Sequence, residues 1–192
     1  LRRELLYPIL GAIDPGAAAT LSASEDDGMG VRIGVLATSA TMRSGAYSRA
    51  FHALNPHVQV FVQSAPLLVP LVEEGWLRAE VPRLVVREYL KPLVDKDLTA
   101  LLLGCTHYPL LSAIVQDELA SLGGKHVPVI HSGLAIVDEV KSMIESKHLA
   151  TDRDYAGRVR IIVSDKSDEF DAMASRFLGR PLGDIPVTAV DL

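Results

Sequence analysis

Apolar positions along this chain come in short runs, with little strict alternation of polar and apolar residues. Val31–Thr38 (VRIGVLAT), Val58–Ser64 (VQVFVQS) and Leu98–Cys105 (LTALLLGC) are the clearest. Pro8–Asp14 (PILGAID), Val127–His131 (VPVIH), Val159–Ser164 (VRIIVS) and Ile185–Val190 (IPVTAV) are shorter or more broken. Near-continuous apolar strands suit a parallel sheet covered on both faces. Between these runs the apolar period lengthens to that of a helix. Ser44–Leu54 places Ala46, Ala50, Phe51 and Leu54 on one face. Val81–Val94 does the same with Val81, Leu84, Val85, Tyr89 and Leu93, turning Arg87 and Glu88 away. Leu110–Leu122, Ala135–Ile144 and Asp168–Leu178 complete the predicted helices. Strand, helix and strand in repetition predict βαβ units and an α/β architecture.

Polar, glycine-containing breaks fall at Ala23–Gly30 (ASEDDGMG), Ala120–Pro128 (ASLGGKHVP) and Glu145–Arg158 (ESKHLATDRDYAGR). Composition adds exclusions. The 192 residues are 48% hydrophobic, enough for a sizeable core, and carry a formal net charge of −5. That balance, without a basic run, argues against nucleic acid and anionic membrane surfaces as partners. No run reaches the roughly 18–20 apolar residues of a membrane span. A single cysteine excludes an internal disulfide framework and any multi-cysteine zinc site, and suits a reducing, cytoplasmic setting. The histidines apart from His107 (His52, His57, His126, His131 and His148) show no metal-ligand spacing, so no metal is expected.

In open parallel sheets, ligands bind beyond the carboxyl ends of strands. Two of those ends are rich in chemistry. After Val31–Leu36 come Thr38, Ser39, Thr41 and Ser44. They read either as a neutral hydroxyl and N–H cradle for a carboxylate or phosphate, or as ordinary helix caps. The glycine spacing there matches neither a dinucleotide fingerprint nor a P-loop. The other end is Gly104-Cys105-Thr106-His107. A thiol beside a histidine or a helix start becomes a useful base or nucleophile, whereas a lone cysteine closing an apolar strand is also a common packing residue. Glu73 and Glu74, just before Gly75, are either surface charges at a helix end or a carboxylate that orients a histidine.

Taken together, GVLATSATMRSGAY (Gly34–Tyr47), VPLVEEG (Val69–Gly75) and LLLGCTHYPLL (Leu101–Leu111) resemble the glutamate racemases of the aspartate/glutamate racemase superfamily. ILGAIDPGAAA (Ile9–Ala19) resembles the segment leading into their second domain, and VPVIHSGLAIVDEV (Val127–Val140) the return to the first. Aspartate racemases usually carry Glu at the place of His107, so the histidine favours glutamate. The resemblance implies a parallel-sheet, flavodoxin-like α/β lobe plus an incomplete second α/β lobe. Residues 1–14 would be a remnant of the first, discontinuous lobe, 15–128 the complete lobe, and 129–192 the return to the first.

That family interconverts L- and D-glutamate for peptidoglycan without a cofactor, using two cysteine acid/bases on opposite faces of the substrate. The resemblance makes Cys105 one of them, assisted by His107, with Glu73 as the carboxylate near His107. Thr106, Thr38 and Thr41 would bind substrate. The family's early DSG and CNT motifs, the second carrying the other cysteine, are not found here and would lie upstream of Leu1. The 192 residues alone are therefore expected not to racemise glutamate, and their open strand edges are expected to favour a homo-oligomer. Two alternatives stand beside this: a one-cysteine, decarboxylase-like relative of the superfamily, and a non-catalytic binding module.

Overall fold

The protein is described by a computed structural model covering residues 9–26, 28–124, 126–151 and 157–191. It divides into two compact units, Leu1–Leu149 and Ala150–Leu192.

The first unit is built on a four-stranded sheet. Its strands are β1 (Arg32–Ala37), β2 (Gln59–Ser64), β3 (Ala100–Leu103) and β4 (Val129–His131). Their order is β2-β1-β3-β4 and all neighbours pair in parallel. This is the beginning of the flavodoxin-like order, with the predicted α/β architecture. The central strands are apolar without alternation because both their faces are covered. Successive side chains leave a strand on opposite sides. Ile33, Val35 and Ala37 of β1, with Ala100 and Leu102 of β3, enter one core layer with Tyr47 and Phe51. Leu36, Leu101 and Leu103 enter the other, with Val86, Leu90, Tyr108 and Leu111.

The helices of this unit are α1 (Ile13–Ala23), α2 (Ser39–Ser44), α3 (Ala46–Leu54), α4 (Leu68–Glu73), α5 (Glu80–Val94), α6 (Ser112–Ser121) and α7 (Ser132–Ser146), with a 3-10 turn at Tyr108–Leu111. The expected strand Pro8–Asp14 is not formed among its described residues. Ile13 and Asp14 instead open α1, where Asp14 and Pro15 suit a first turn. Pro8 lies outside the described residues. α1 buries Pro15, Gly16, Ala17 and Thr20, a face of small groups without an apolar stripe. A Cβ on Gly16 would stand 3.3 Å from Cβ of Ser132, so the small residue allows α1 to lie close to α7.

α5 is rotated from the predicted face. Its buried residues are Pro82, Val86, Leu90 and Leu93, while Val81 and Leu84 are exposed. The polar side of α5 is anchored instead of free. Arg87 Nε donates to Glu118 at 2.7 Å and Arg83 reaches the same buried carboxylate at 3.1 Å, linking α5 to α6. Trp76 is 49% exposed between α4 and α5. β4, which the sequence reading assigned to the return segment, completes the sheet of the first unit by pairing with β3.

The second unit holds β5 (Ile161–Val163) and β6 (Val187–Ala189), paired in parallel, with α8 (Phe170–Leu178) between them in sequence. Gly179 ends α8 in the left-handed conformation at φ 65°, the usual glycine solution for closing a helix. Ser175 Oγ accepts from the N–H of Leu182, the one buried residue among those described in this unit.

Candidate active site

The carboxyl ends of β1, β2 and β3 bring together the residues singled out in the sequence. β1 ends at Ala37, and Thr38 N-caps α2 in extended backbone. Its Oγ1 accepts from the N–H of Thr41 at 3.3 Å and donates to the Thr41 hydroxyl at 3.0 Å. Thr38 and Thr41 are thus neighbours on one rim, and cap and cradle are the same hydroxyls. Ser39 turns the other way: its hydroxyl meets Ser64, the last residue of β2, at 2.7 Å. Ser44 does not belong to the cradle. It donates to the Thr41 carbonyl at 2.7 Å and receives the Ala46 N–H at 3.2 Å, tying α2 to α3.

β3 stops at Leu103, and Gly104 carries the chain out of the sheet with its N–H still bonded to the Leu36 carbonyl at 2.8 Å. Glycine is required at this point. A Cβ there would lie 2.6 Å from Cε2 of Tyr47 and 3.2 Å from the Leu36 oxygen. Cys105 follows as a free, half-buried thiol. Thr106 is exposed, and its hydroxyl stands 3.3 Å from Nδ1 of His107. The other ring nitrogen, Nε2, lies 3.4 Å from Oε1 of Glu73 at the end of α4. The imidazole is therefore held at both nitrogens, by Thr106 beside it and by a carboxylate from a different helix. Glu74 is exposed and lines an apolar groove with Trp76, Leu71 and Val81.

Two tyrosines that sequence pattern did not single out flank the thiol. Tyr108 donates to the Ala65 carbonyl at 2.8 Å, joining the 3-10 turn to the end of β2. Burial, first, and then the charge of Cys105 push its hydroxyl well above the ordinary tyrosine range. Tyr47 is raised chiefly by burial and also by Cys105, against the opposing influence of its hydrogen bond to Ser132. Both phenols therefore stay neutral beside the cysteine. Ser64 and Ser132 were also missed. The signal for them was the polar residue that closes a strand or follows it, which the sequence shows at QS (Gln63–Ser64) and HS (His131–Ser132). Among the described residues, no three of His, Cys, Asp and Glu gather to hold a metal ion. No helix among them is long and apolar enough to cross a membrane.

A half-buried thiol at a strand end, a histidine held by a carboxylate, and a hydroxyl rim make an arrangement suited to moving a proton on a small carboxylate-bearing molecule. The sequence profile of the Asp/Glu/hydantoin racemase family matches residues 1–140. The chain belongs to that family. It is 39% identical over 183 residues to glutamate racemase of Neisseria meningitidis, covering 95% of this chain and 64% of the relative. Against glutamate racemase of Syntrophus aciditrophicus the identity is 38% over 175 residues, covering 91% and 62%. A solved glutamate racemase from Bacillus anthracis matches 100% of this chain and 67% of its own at a TM-score of 0.87 and 30% identity. Another, from Francisella tularensis in complex with D-glutamate, matches 96% and 64% at 0.83 and 28%. The chain thus spans 64% of the length of the Neisseria relative. The family's similarity covers every site residue named above, all of which fall between Thr38 and Ser132.

Proposed function

We propose that this chain carries one half of the catalytic centre of a cofactor-independent glutamate racemase that interconverts L- and D-glutamate for peptidoglycan synthesis. The supporting observation is the cluster at the carboxyl edge of the sheet, where Cys105 follows β3 two residues before His107, and His107 Nε2 lies 3.4 Å from Glu73 Oε1.

Inversion at Cα requires removal of a weakly acidic proton from one face and delivery of another to the opposite face. A thiolate at Cys105 is the base for one face, and the thiol is the acid when the reaction runs in reverse. His107, oriented by Thr106 and Glu73, sits two residues on and assists Cys105 in taking up and returning the α-proton, the Cα–N bond staying intact throughout. Thr38, Thr41 and Thr106 offer hydroxyls to the substrate carboxylates, so that charge developing at Cα meets a prearranged polar rim. The flanking tyrosines, kept neutral, add no competing charge. One cysteine serves one face. The 192 residues hold one cysteine, so by themselves they are expected to bind glutamate weakly and not to racemise it.

The test uses hydrogen exchange in deuterated water with a longer protein that contains this chain and a second acid/base. Cys105→Ala is expected to abolish racemisation and to remove α-proton exchange from one enantiomer before the other. Full exchange of both enantiomers in that variant would overturn the role of Cys105. Carbon dioxide release from an aminomalonate-type substrate, without racemisation, would favour a decarboxylase in its place.

A further inference from the structure

Two consecutive residues where β4 meets α7 hold both ends of the segment that carries Cys105. His131 closes β4 in register with Leu103 of β3, and Ser132 opens α7. As neighbours at a strand end, they leave the backbone toward opposite faces of the sheet. Ser132 turns to the side of α1, where its Cβ comes close to Gly16. It is buried and donates its hydroxyl proton to the Leu103 carbonyl at 3.1 Å, just before the chain leaves β3. His131 turns to the side of α6, where Nε2 meets the hydroxyl of Ser112 at 2.8 Å. Ser112 is the first residue of α6 and follows the 3-10 turn Tyr108–Leu111. Between these two attachments lie residues 104–111, with Cys105, Thr106 and His107 among them. From across the sheet edge, the Tyr108 hydroxyl holds the middle of the segment to the Ala65 carbonyl.

We infer that His131 and Ser132 are positioning residues for Cys105, each gripping one end of the segment from which the thiol projects. The proposal rests on reading Cys105 as a proton-transfer group. A base that must meet one face of Cα works only from a fixed backbone, because small displacements from the productive geometry cost rate. Residues 104–111 form a single short 3-10 turn, whose own hydrogen bonds do not decide where the segment lies. The attachments at its two ends do, and both come from one strand–helix junction. That accounts for a histidine and a buried serine standing side by side at the end of an edge strand. Neither takes part in the proton transfer itself, and each has its polar atom on the segment that does.

Cys105 is the sole thiol of the 192 residues, so its alkylation by iodoacetamide reports on this segment alone. The rate at the high-pH plateau is measured for the wild type, Ser112→Ala, His131→Leu, Ser132→Ala and two double variants. Each single variant is expected to raise it about two- to tenfold, the factor for one ordinary hydrogen bond, as the segment opens. Ser112→Ala with His131→Leu removes the same bond from both sides and is expected to match its singles. Ser112→Ala with Ser132→Ala frees both ends, and its effects are expected to multiply. Ser121→Ala deletes a serine-to-carbonyl bond at the other end of α6 and is expected to leave the rate unchanged. In a racemase containing this chain, Ser112→Ala is expected to lower kcat by a similar factor at constant KM, and Ser112→Thr to restore it. An unchanged rate in any of the three single variants, or multiplied effects within the Ser112–His131 pair, would overturn the proposal. So would an equal rise in Ser121→Ala, or a raised KM at constant kcat. Protection of the wild-type thiol by glutamate is read separately. Its failure would count against the racemase reading while leaving the two attachments standing.

Discussion

The carboxylate of Glu73 lies 3.4 Å from Nε2 of His107, although the two residues come from different βαβ units. Glu73 ends α4 after β2, and His107 follows β3. The order β2-β1-β3 places β1 between those strands, so the contact spans the sheet's carboxyl edge above the Thr38 rim.

If this pair acts as a unit in proton transfer, its variants will not add. In a racemase containing this chain, His107→Asn is expected to lower kcat by about 10²-fold, the lower end for loss of a proton-transfer group. Glu73→Gln is expected to lower it less. The double variant should be no worse than His107→Asn alone, measured by circular dichroism of glutamate. Independent, multiplicative losses would show that Glu73 works elsewhere.

Gly104→Ala is expected to destabilise the first unit by about 1–3 kcal/mol, the range for forcing an extra carbon into a packed site. The obstacle is the Tyr47 ring at 2.6 Å, and backbone oxygen of Leu36 at 3.2 Å blocks escape on the other side. Urea unfolding followed by circular dichroism measures the loss. A stability equal to the wild type would mean that the ring moves aside at no cost.

His131 supplies a pH dependence whose sign is fixed. Its Nε2 faces the Ser112 hydroxyl at 2.8 Å, and burial lowers its pKa from 6.5. A base with a depressed folded pKa contributes stability above its unfolded pKa and loses it as pH falls through the folded value. Between those values the unfolded chain takes up a proton that the folded chain resists. The urea midpoint is therefore expected to fall from pH 7.5 to pH 5 more steeply in the wild type than in His131→Gln. Parallel slopes would remove His131 from the acid response.

Thr38→Ala removes an N-cap and part of the substrate rim together. The cap bond is long, 3.3 Å, so the stability loss is expected near the lower end of the usual range, about 0.5 kcal/mol. KM for glutamate is expected to rise in a protein containing both acid/bases, while Thr38→Ser restores both properties. A raised KM that serine fails to rescue would trace the effect to packing of the methyl group.

Several elements were legible because their burial is simple. β1 and β3 are covered on both sides, so continuous apolar runs mark them within a few residues. α1 escaped because it packs through Gly16, Ala17 and Thr20 and shows no bulky stripe. α4 is six residues long with Pro70 inside its first turn, too short for a period to emerge. α5 was found but its face was turned, since Val81, Leu84 and Val85 compete with Val86 and Leu90 for an apolar stripe. At the site, Cys105, His107 and the threonines could be named from strand ends and resemblance. Tyr47 and Ser132 could not, because the ring of Tyr47 against Gly104 and the bond of Ser132 to the Leu103 carbonyl depend on α3 and α7 packing on the end of β3, a relation between distant residues that local pattern does not encode.

The polar groups on the sheet's carboxyl edge already have partners: Thr38 with Thr41, Ser39 with Ser64, and His107 with Thr106 and Glu73. An incoming carboxylate would therefore enter by exchange, taking over hydroxyls and N–H groups from one another and adding few new bonds. Such a rim discriminates by shape and spacing more than by strength. Its ligand would be held loosely enough to leave.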